Sequence, residues 1–547
     1  MKPFLDNIAN RLISKYPKDM DSLIIVLPSK RAELFFKNYL SHKIKSPVFL
    51  PKFYTIEEFL EKLSGLHIID NLSLHFKLYD AYIQHSDQQK RNFDEFLNWS
   101  HILLHDFNDI ERNLVNAEEL FTNLRDVKDL ENWGVDDWSL SEDKISSLQH
   151  DYINFYESIY TWYKTFNQSL LSEGLAYQGL AYRKATENVS EHIHNKIWFV
   201  GLNALTKAEQ KIINHYKELD VARVFWDADN FYYDNMLHEA GSFLRLQRKK
   251  WHEIDFKGVG DYFSSNKDTF QVISCPKNIS QAKVVGEVLS SYNKKDIISN
   301  NTAVVLADES LLFPVLNNLP SDVHKLNVTM GSPLIHTSLF AFLEVILTMQ
   351  INAKEYNKNG FYYKDIIAVI EHPYCIRFLG RDSCQEFKKH IIDRNIVFVS
   401  NKDVNHFFNI HNHSNHFLNL WNDTLEAILC LDSLIYNLRK FLVKKKSTIE
   451  SEILVNFTSH ISTLKDIILG INYKIKLVTF KKVIKQLFSN EIIPFQGEPL
   501  NGVQLMGILE TRTLDFKNVI MLSVNEGILP KGRISNSFIP YDMRKYF

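Results

Sequence analysis

Apolar residues fall along this chain in two textures. Short, unalternating runs rich in β-branched and aromatic side chains occur at 22–28 (SLIIVLP), 196–202 (KIWFVGL), 222–228 (ARVFWDA), 270–276 (FQVISCP), 301–307 (NTAVVLA), 502–508 (GVQLMGI) and 518–524 (NVIMLSV). Each predicts a strand buried on both faces, as in a parallel sheet covered by helices. The first and fifth lead straight into the helical patterns LPSKRAELFFKNYL and ADESLLFPVLNNL. Strand followed by helix, repeated, predicts an α/β fold.

Between these strands lie long tracts of period 3.6. One runs from 56 to about 190 and puts Phe93, Phe96, Leu97, Leu103, Leu104, Phe107, Ile110 and Leu114 on one broad face; the other runs from 338 to about 490. The expected layout is therefore two α/β cores, each split by a long helical insertion. The boundary between them is expected in the polar stretch 255–268 (DFKGVGDYFSSNKD). The sequence contains no internal repeat and no low-complexity segment.

Composition changes this picture little. A chain of 547 residues exceeds one core and suggests about three or four domains. Apolar content of 45%, with 38 Phe and 24 Tyr against 18 Gly and 14 Pro, favours long helices with bulky cores. A net charge of −2 supplies no global field toward nucleic acid or membrane, so any such surface must be local. Cys275, Cys375, Cys384 and Cys430 lack CxxC spacing, which argues against a zinc site or disulfide framework. The opening residues carry no signal-peptide pattern, and the apolar stretch LFAFLEVILTM is short and interrupted by Glu344. A soluble, cytoplasmic protein is expected.

A phosphate-binding P-loop needs G-x-x-x-x-G-K-[ST], and the nearest match is GILPKGR, Gly527 to Arg533. Arg533 and Ile534 stand where Lys and Ser/Thr are required, and Pro530 interrupts the loop. No G-x-G-x-x-G follows a strand, so nucleotide hydrolysis is not expected. Nuclease-like DFK (255–257 and 515–517) and EFK (386–388) are hits of the size chance supplies, and Phe516 reads as core. His406, His411, His413 and His416 are irregularly spaced among asparagines and read as a polar loop.

Basic stretches occur at 28–37, 245–251, 439–446 and 474–485. The last two interleave with aromatics around Phe441 and Lys444, a pattern that suits a phosphate backbone. The first differs by position. Ser29, Lys30 and Arg31 fall at the carboxyl end of a strand and the start of a helix, where open α/β sheets bind ligands.

The stretch VQLMGILETRTLDFKNVIMLSVNEGILP (503–530) resembles motif V and its following strand in superfamily 1 DNA helicases of the UvrD/Rep/RecB type. Leu514, Asp515 and Phe516 match that family's Leu-Glu-Phe, Arg512 stands for its Lys, and Glu526, Gly527 and Pro530 match its trailing turn. Gly507, Leu509 and Thr513 replace its Thr, His and Gly. IIVLPSKRAELFFKNYL is similar to motif Ia, which touches single-stranded DNA. NTAVVLADESLLFPVLNNL is similar to motif IV, with Asp308 and Glu309 where the family has a phosphate-sensing Arg.

The P-loop, the Asp-Glu metal motif and that Arg are absent, and WFVGLNALTKAEQKIINHY has no acidic pair at the motif II position. This combination resembles the inactivated helicase portion of AddB-like proteins of the PD-(D/E)xK nuclease family. DFNDIERNLVNAEELF, VTMGSPL and FIPYDMRKYF look like that group's segments, and the resemblance spans essentially the whole chain.

The resemblance implies two RecA-like parallel-sheet cores. The first, lacking a Walker A motif, would comprise 1–58 and 192–258, with a helical insertion at 59–191. The second would comprise 265–337 and 495–547, with an insertion at 338–494. A nuclease domain would lie beyond residue 547 and would carry any catalytic Mg²⁺. No catalytic residue, metal ligand or cofactor is expected within 1–547. The implied activity is passive binding of single- and double-stranded DNA beside an AddA-like helicase-nuclease subunit, away from membranes. Ser29, Lys30, Arg31, Thr511, Arg512 and Lys444 would contact DNA. The alternatives are an active ATP-dependent helicase and a purely protein-binding scaffold.

Overall fold

A computed structural model describes residues 3–17, 19–85, 91–132, 147–191, 196–251, 260–265, 270–292, 301–356, 358–408, 413–443, 448–493, 500–532 and 536–546. The fold is α/β, mostly helical, with two four-stranded parallel sheets among the described residues.

The first sheet contains β1 (Ile24–Leu27), β2 (Lys52–Thr55), β3 (Ile197–Val200) and β4 (Ala222–Phe225) in the order β2-β1-β3-β4. The central strands β1 and β3 are buried at every position, which is why their sequences are apolar without alternation. Helices α1 (Phe4–Lys15) and α2 (Lys30–Lys43) cover one face, where Leu5, Ile8, Leu12, Phe35 and Phe36 meet Ile25, Leu27 and Trp198. The opposite face is covered by α3 (Ile56–Ser64), α4 (Gln178–Asn188) and α5 (Lys207–Glu218), with Phe59, Tyr182, Ile212 and Tyr216 against Val26 and Phe199. Helix α3 starts sharply: Thr55 and Glu58 form a reciprocal capping box, and Gly65 ends the helix at φ 69°. Truncating one of the wholly buried aromatics here, such as Phe36 or Phe59, costs about 3–5 kcal/mol.

The second sheet contains β5 (Thr302–Leu306), β6 (Leu326–Val328), β7 (Val503–Gly507) and β8 (Asn518–Leu522) in the order β8-β5-β7-β6, again all parallel. Strands β5 and β7 are buried throughout. Helix α6 (Asn278–Ser291) lays Ala282, Val285 and Leu289 against Val304, Leu306 and Leu522.

Two findings depart from the sequence expectations for strands. Residues 270–276 form no strand: Phe270 and Val272 are 88% and 82% exposed, and among the described residues no strand pairs with them. Strands β2 and β6 were not foreseen, because KFYT lacks an apolar run and LNV is three residues long.

Both sheets belong to one compact unit, made of Met1–Asp87, Ser100–Met330 and Phe495–Phe547. The stretch 255–268, expected as a boundary between cores, lies mostly outside the described residues. In this unit Asp106 accepts hydrogen bonds from Ser537 Oγ (2.7 Å) and the Phe538 N–H (2.8 Å), tying 536–539 to helix Phe93–Arg112. Burial pushes the Asp106 carboxyl up to about 6.

The second compact unit comprises Gln88–Trp99 and Gly331–Pro494. It is built from helices Ser338–Glu355, Thr424–Val443, Thr448–Gly470 and Leu477–Asn490, with two-residue ladders at 361–362/398–399 and 332–333/492–493. Lys444 lies outside the described residues, as does the side chain of Phe441. In the basic stretch 474–485, Lys481 donates to Thr348 Oγ1 (2.7 Å) and Lys482 to Asn98 (3.4 Å), so two of its ammonium groups have protein partners.

Candidate nucleic-acid interface at the junction of the two sheets

Strand β1 ends at Leu27, and Ser29 caps the helix that follows. Its backbone is extended and its Oγ accepts from the Ala32 N–H at 3.2 Å, satisfying one donor of the first turn of α2. Lys30 opens that helix with its side chain 76% exposed, and its ammonium lies 2.7 Å from Glu58. The hydrogen bond to Glu58, and then its charge, raise the Lys30 ammonium above the ordinary lysine range. Glu58 is also the capping-box residue of α3, so the pair joins the first turns of two helices.

Arg31 turns inward. Its Nη2 donates to Gln504 Oε1, and the Asn327 carboxamide lies beside both groups, 2.8 Å from the same oxygen. Gln504 and Asn327 are register partners on β7 and β6, 0% and 4% exposed. The Arg31 guanidinium also sits 5.6 Å from the Phe35 ring centre. Burial lowers it to about 10, with Glu510 acting in the opposite direction. A helix of the first sheet thus places its cation among the buried amides of the second.

The segment after β7 completes the junction. Ile508–Thr511 form a single 3₁₀ turn, with Glu510 accepting from the Gly507 N–H (3.2 Å) and from the Thr329 hydroxyl. Thr511 spends its own hydroxyl on the Ile508 carbonyl at 2.7 Å. Arg512 is exposed at the end of this turn. Thr513 then takes φ 62°, an unfavourable region for a β-branched residue, costing about 1–3 kcal/mol that the surroundings must offset.

Those surroundings are the first sheet. Gly201, directly after β3 at φ 70°, approaches Thr513 so closely that a Cβ there would collide with Thr513 Cγ2. Asp515 accepts the Phe4 N–H at 2.8 Å, at the amino terminus of α1. Phe516 packs edge-on to Phe35 at 6.1 Å, and Leu514 joins the same cluster. At the end of β4, burial and the neighbouring Asp515 charge push the Asp227 carboxyl up to about 7. Burial likewise raises Asp515 itself.

The arrangement fills the place where an open parallel sheet usually takes a ligand. In the order β2-β1-β3-β4 the switch point lies between β1 and β3, and ligands bind beyond the carboxyl ends of such strands. Here Thr513 occupies the approach to Gly201. The positive end of the α1 dipole, suited to a phosphate, is met by the Asp515 carboxylate. Among the described residues, no group of three or more His, Cys, Asp or Glu side chains converges as a metal site.

Of the residues predicted from sequence, Ser29, Lys30, Arg31, Thr511 and Arg512 all fall around this junction, but only Lys30 and Arg512 present exposed side chains. Sequence reasoning missed Gln504, Asn327, Gly201 and Asp227. A glutamine inside the apolar run GVQLMGI was the one legible signal, since a buried strand position holds a carboxamide only with partners. No protein-family model matches the chain, and no curated protein matches its sequence.

Proposed function

We propose that this chain is a non-hydrolysing, helicase-like DNA-binding scaffold, made of two RecA-like cores and working beside a helicase-nuclease subunit in double-strand-break resection. The observation that carries the non-hydrolysing part is the occupied crevice of the first sheet. Thr513 stands against Gly201 and Asp515 meets the amino terminus of α1, and both contacts support a reading in which this crevice does not take a nucleotide phosphate.

DNA binding rests on the motif resemblance and on the two exposed cations beside the junction. Lys30 and Arg512 would meet phosphates, giving affinity that depends on salt and not on base sequence. Arg31, committed to Gln504, would hold the sheets together and would not contact DNA. Ser29 and Thr511 would position their neighbours through the caps they form.

The test is titration of single-stranded DNA with Lys30→Ala/Arg512→Ala, together with an ATP hydrolysis assay. Affinity should fall, and the slope of log K against log salt should drop by about 0.7 for each phosphate that the variant no longer neutralises. Unchanged affinity and slope would refute the DNA assignment and leave the protein-binding scaffold. ATP turnover above background in the presence of DNA would refute the non-hydrolysing one.

A further inference from the structure

Helix α7 (Thr424–Val443), in the second compact unit, is apolar on two faces. Ile428, Leu431, Ile435 and Leu438 form its inner face and are at most 1% exposed. Leu425, Leu429 and Tyr436 form the outer one and are 42%, 48% and 54% exposed. Taken with Asp432 and Arg439, they advance by four, three, four and three residues, the spacing of a seam between two helices. A surface helix needs one apolar face, toward the core. A second face ordered at this spacing is more than the scattered apolar residues of an ordinary surface.

The outer face carries a hole at one end and a knob at the other. Leu425, Glu426, Leu429 and Cys430 line a cavity of about 470 Å³, together with Trp421 and Asp423 just before the helix. Two turns beyond Leu429, about 10 Å along the axis, stands the Tyr436 ring, with the Lys440 ammonium 4.7 Å from its centre. The two ends also differ in charge. Asp423 and Glu426 flank the cavity, and Glu426 is fixed there by accepting from the N–H (2.8 Å) and the side-chain amide (3.0 Å) of Asn422. Arg439 and Lys440 are exposed at the tyrosine end. Between the ends, Asp432 is paired with Lys465 at 2.6 Å, so its charge is balanced within the chain.

We propose that this face is an interface between two copies of the chain, with their α7 helices antiparallel about a two-fold axis. A helix with its hole and carboxylates at one end and its knob and cations at the other is complementary to itself when reversed. Tyr436 of each copy would enter the cavity of the other beside Leu425 and Leu429, where Asp423 can accept from its hydroxyl. In the same register the second copy's Lys440 would reach Glu426, and the pair recurs on the other side of the axis. Association would cover Leu425, Leu429 and Tyr436 of both copies at once.

Sedimentation velocity on the intact chain tests this and should show a monomer–dimer equilibrium. Tyr436→Asp and Leu429→Glu, both at exposed positions, should leave only monomer, with helix content unchanged by circular dichroism. Glu426→Lys and Lys440→Glu each set like charges together on both sides of the axis, and each should raise the dissociation constant roughly tenfold. Mixing these two single variants puts opposite charges back at both pairs, so a heterodimer should form with the affinity of the natural chain. A natural chain that stays monomeric up to about 100 μM overturns the proposal. So does a dimer that survives Tyr436→Asp and Leu429→Glu, which would lie on another surface. A mixture that associates no better than either variant alone overturns it too.

Discussion

The backbone N–H of Phe4 donates a 2.8 Å hydrogen bond to the carboxylate of Asp515, 511 positions away. The first turn of the first helix is therefore completed by a residue of the second sheet's connection, and the two sheets are joined through backbone as well as side chains. This bond sits beside a second one of similar span, Arg31 to Gln504.

Arg31→Ala should destabilise the chain by about 1–3 kcal/mol, because Gln504 and Asn327 stay buried after their cationic partner is gone. Arg31→Ala/Gln504→Leu should recover part of the loss by removing the stranded carboxamide as well. Urea unfolding followed by tryptophan fluorescence measures both, and equal losses in single and double variants would show that Arg31 contributes only packing.

Acidification should strengthen the junction. The Asp227 carboxyl is raised to about 7 by burial and then by Asp515, and Asp515 is raised by burial, whereas unfolded aspartates titrate near 3.8. A raised carboxyl contributes stability that is complete below the unfolded value and is lost as pH rises through the folded one. The Asp227 contribution therefore fades between about pH 4 and 7, and that of Asp106 between about pH 4 and 6. Melting temperature should fall from pH 5 to pH 8 in the natural chain. Asp227→Asn should flatten that slope and melt higher at pH 8, and a slope that survives the substitution would place the titrating group elsewhere.

Gly201→Ala should be costly for two separable reasons, the positive φ of 70° and the collision with Thr513 Cγ2. A loss of about 2–4 kcal/mol is expected from strain and overpacking together. Thr513→Gly should itself be mild, since it relieves a left-handed threonine, and should return the steric part of the Gly201→Ala loss. A double-mutant cycle measured by chemical unfolding gives the coupling, and strict additivity would mean that the two residues do not meet.

Glu58→Gln should tighten DNA binding by a few-fold if Lys30 serves phosphate, because the solvent-exposed Lys30–Glu58 pair is weak and competes for the ammonium. Fluorescence anisotropy with single-stranded DNA at low and moderate salt reads the change. The gain should disappear in Lys30→Ala/Glu58→Gln, and a gain that persists there would mean it comes from general charge and not from Lys30.

The central strands were legible because burial on both faces forces unbroken apolar runs, as in IIVL, IWFV, TAVVL and VQLMG. Of the edge strands, β4 and β8 were legible in ARVFWDA and NVIMLSV, whereas β2 and β6 were not, since they owe their existence to a neighbour's ladder and carry little pattern of their own. The run at 270–276 shows the converse: β propensity is present, but without a paired partner it does not become a strand. At the junction, the positions of Ser29, Lys30 and Arg31 after β1 followed from strand-helix reasoning. Which of them turns inward did not, because that depends on Gln504 and Asn327, placed opposite by a different sheet. The same holds for ETRTLDF, read as a ligand contact. Its Thr513, Leu514 and Phe516 are held by Gly201 and Phe35, residues that no local pattern connects to it.

The packing of Leu514 and Phe516 into the first sheet's core also sets an order of events during synthesis. By the time β4 has been made, the surface around Phe35 and Gly201 is formed but uncovered. Its cover is encoded roughly 300 residues later, a delay on the order of 15–60 s at ordinary elongation rates. Throughout that interval a nascent chain would expose an apolar face of one half with no means of closing it. The chain should therefore engage chaperones midway through translation, and a stop placed before Leu514 should yield an insoluble product even though every strand of the first sheet is present.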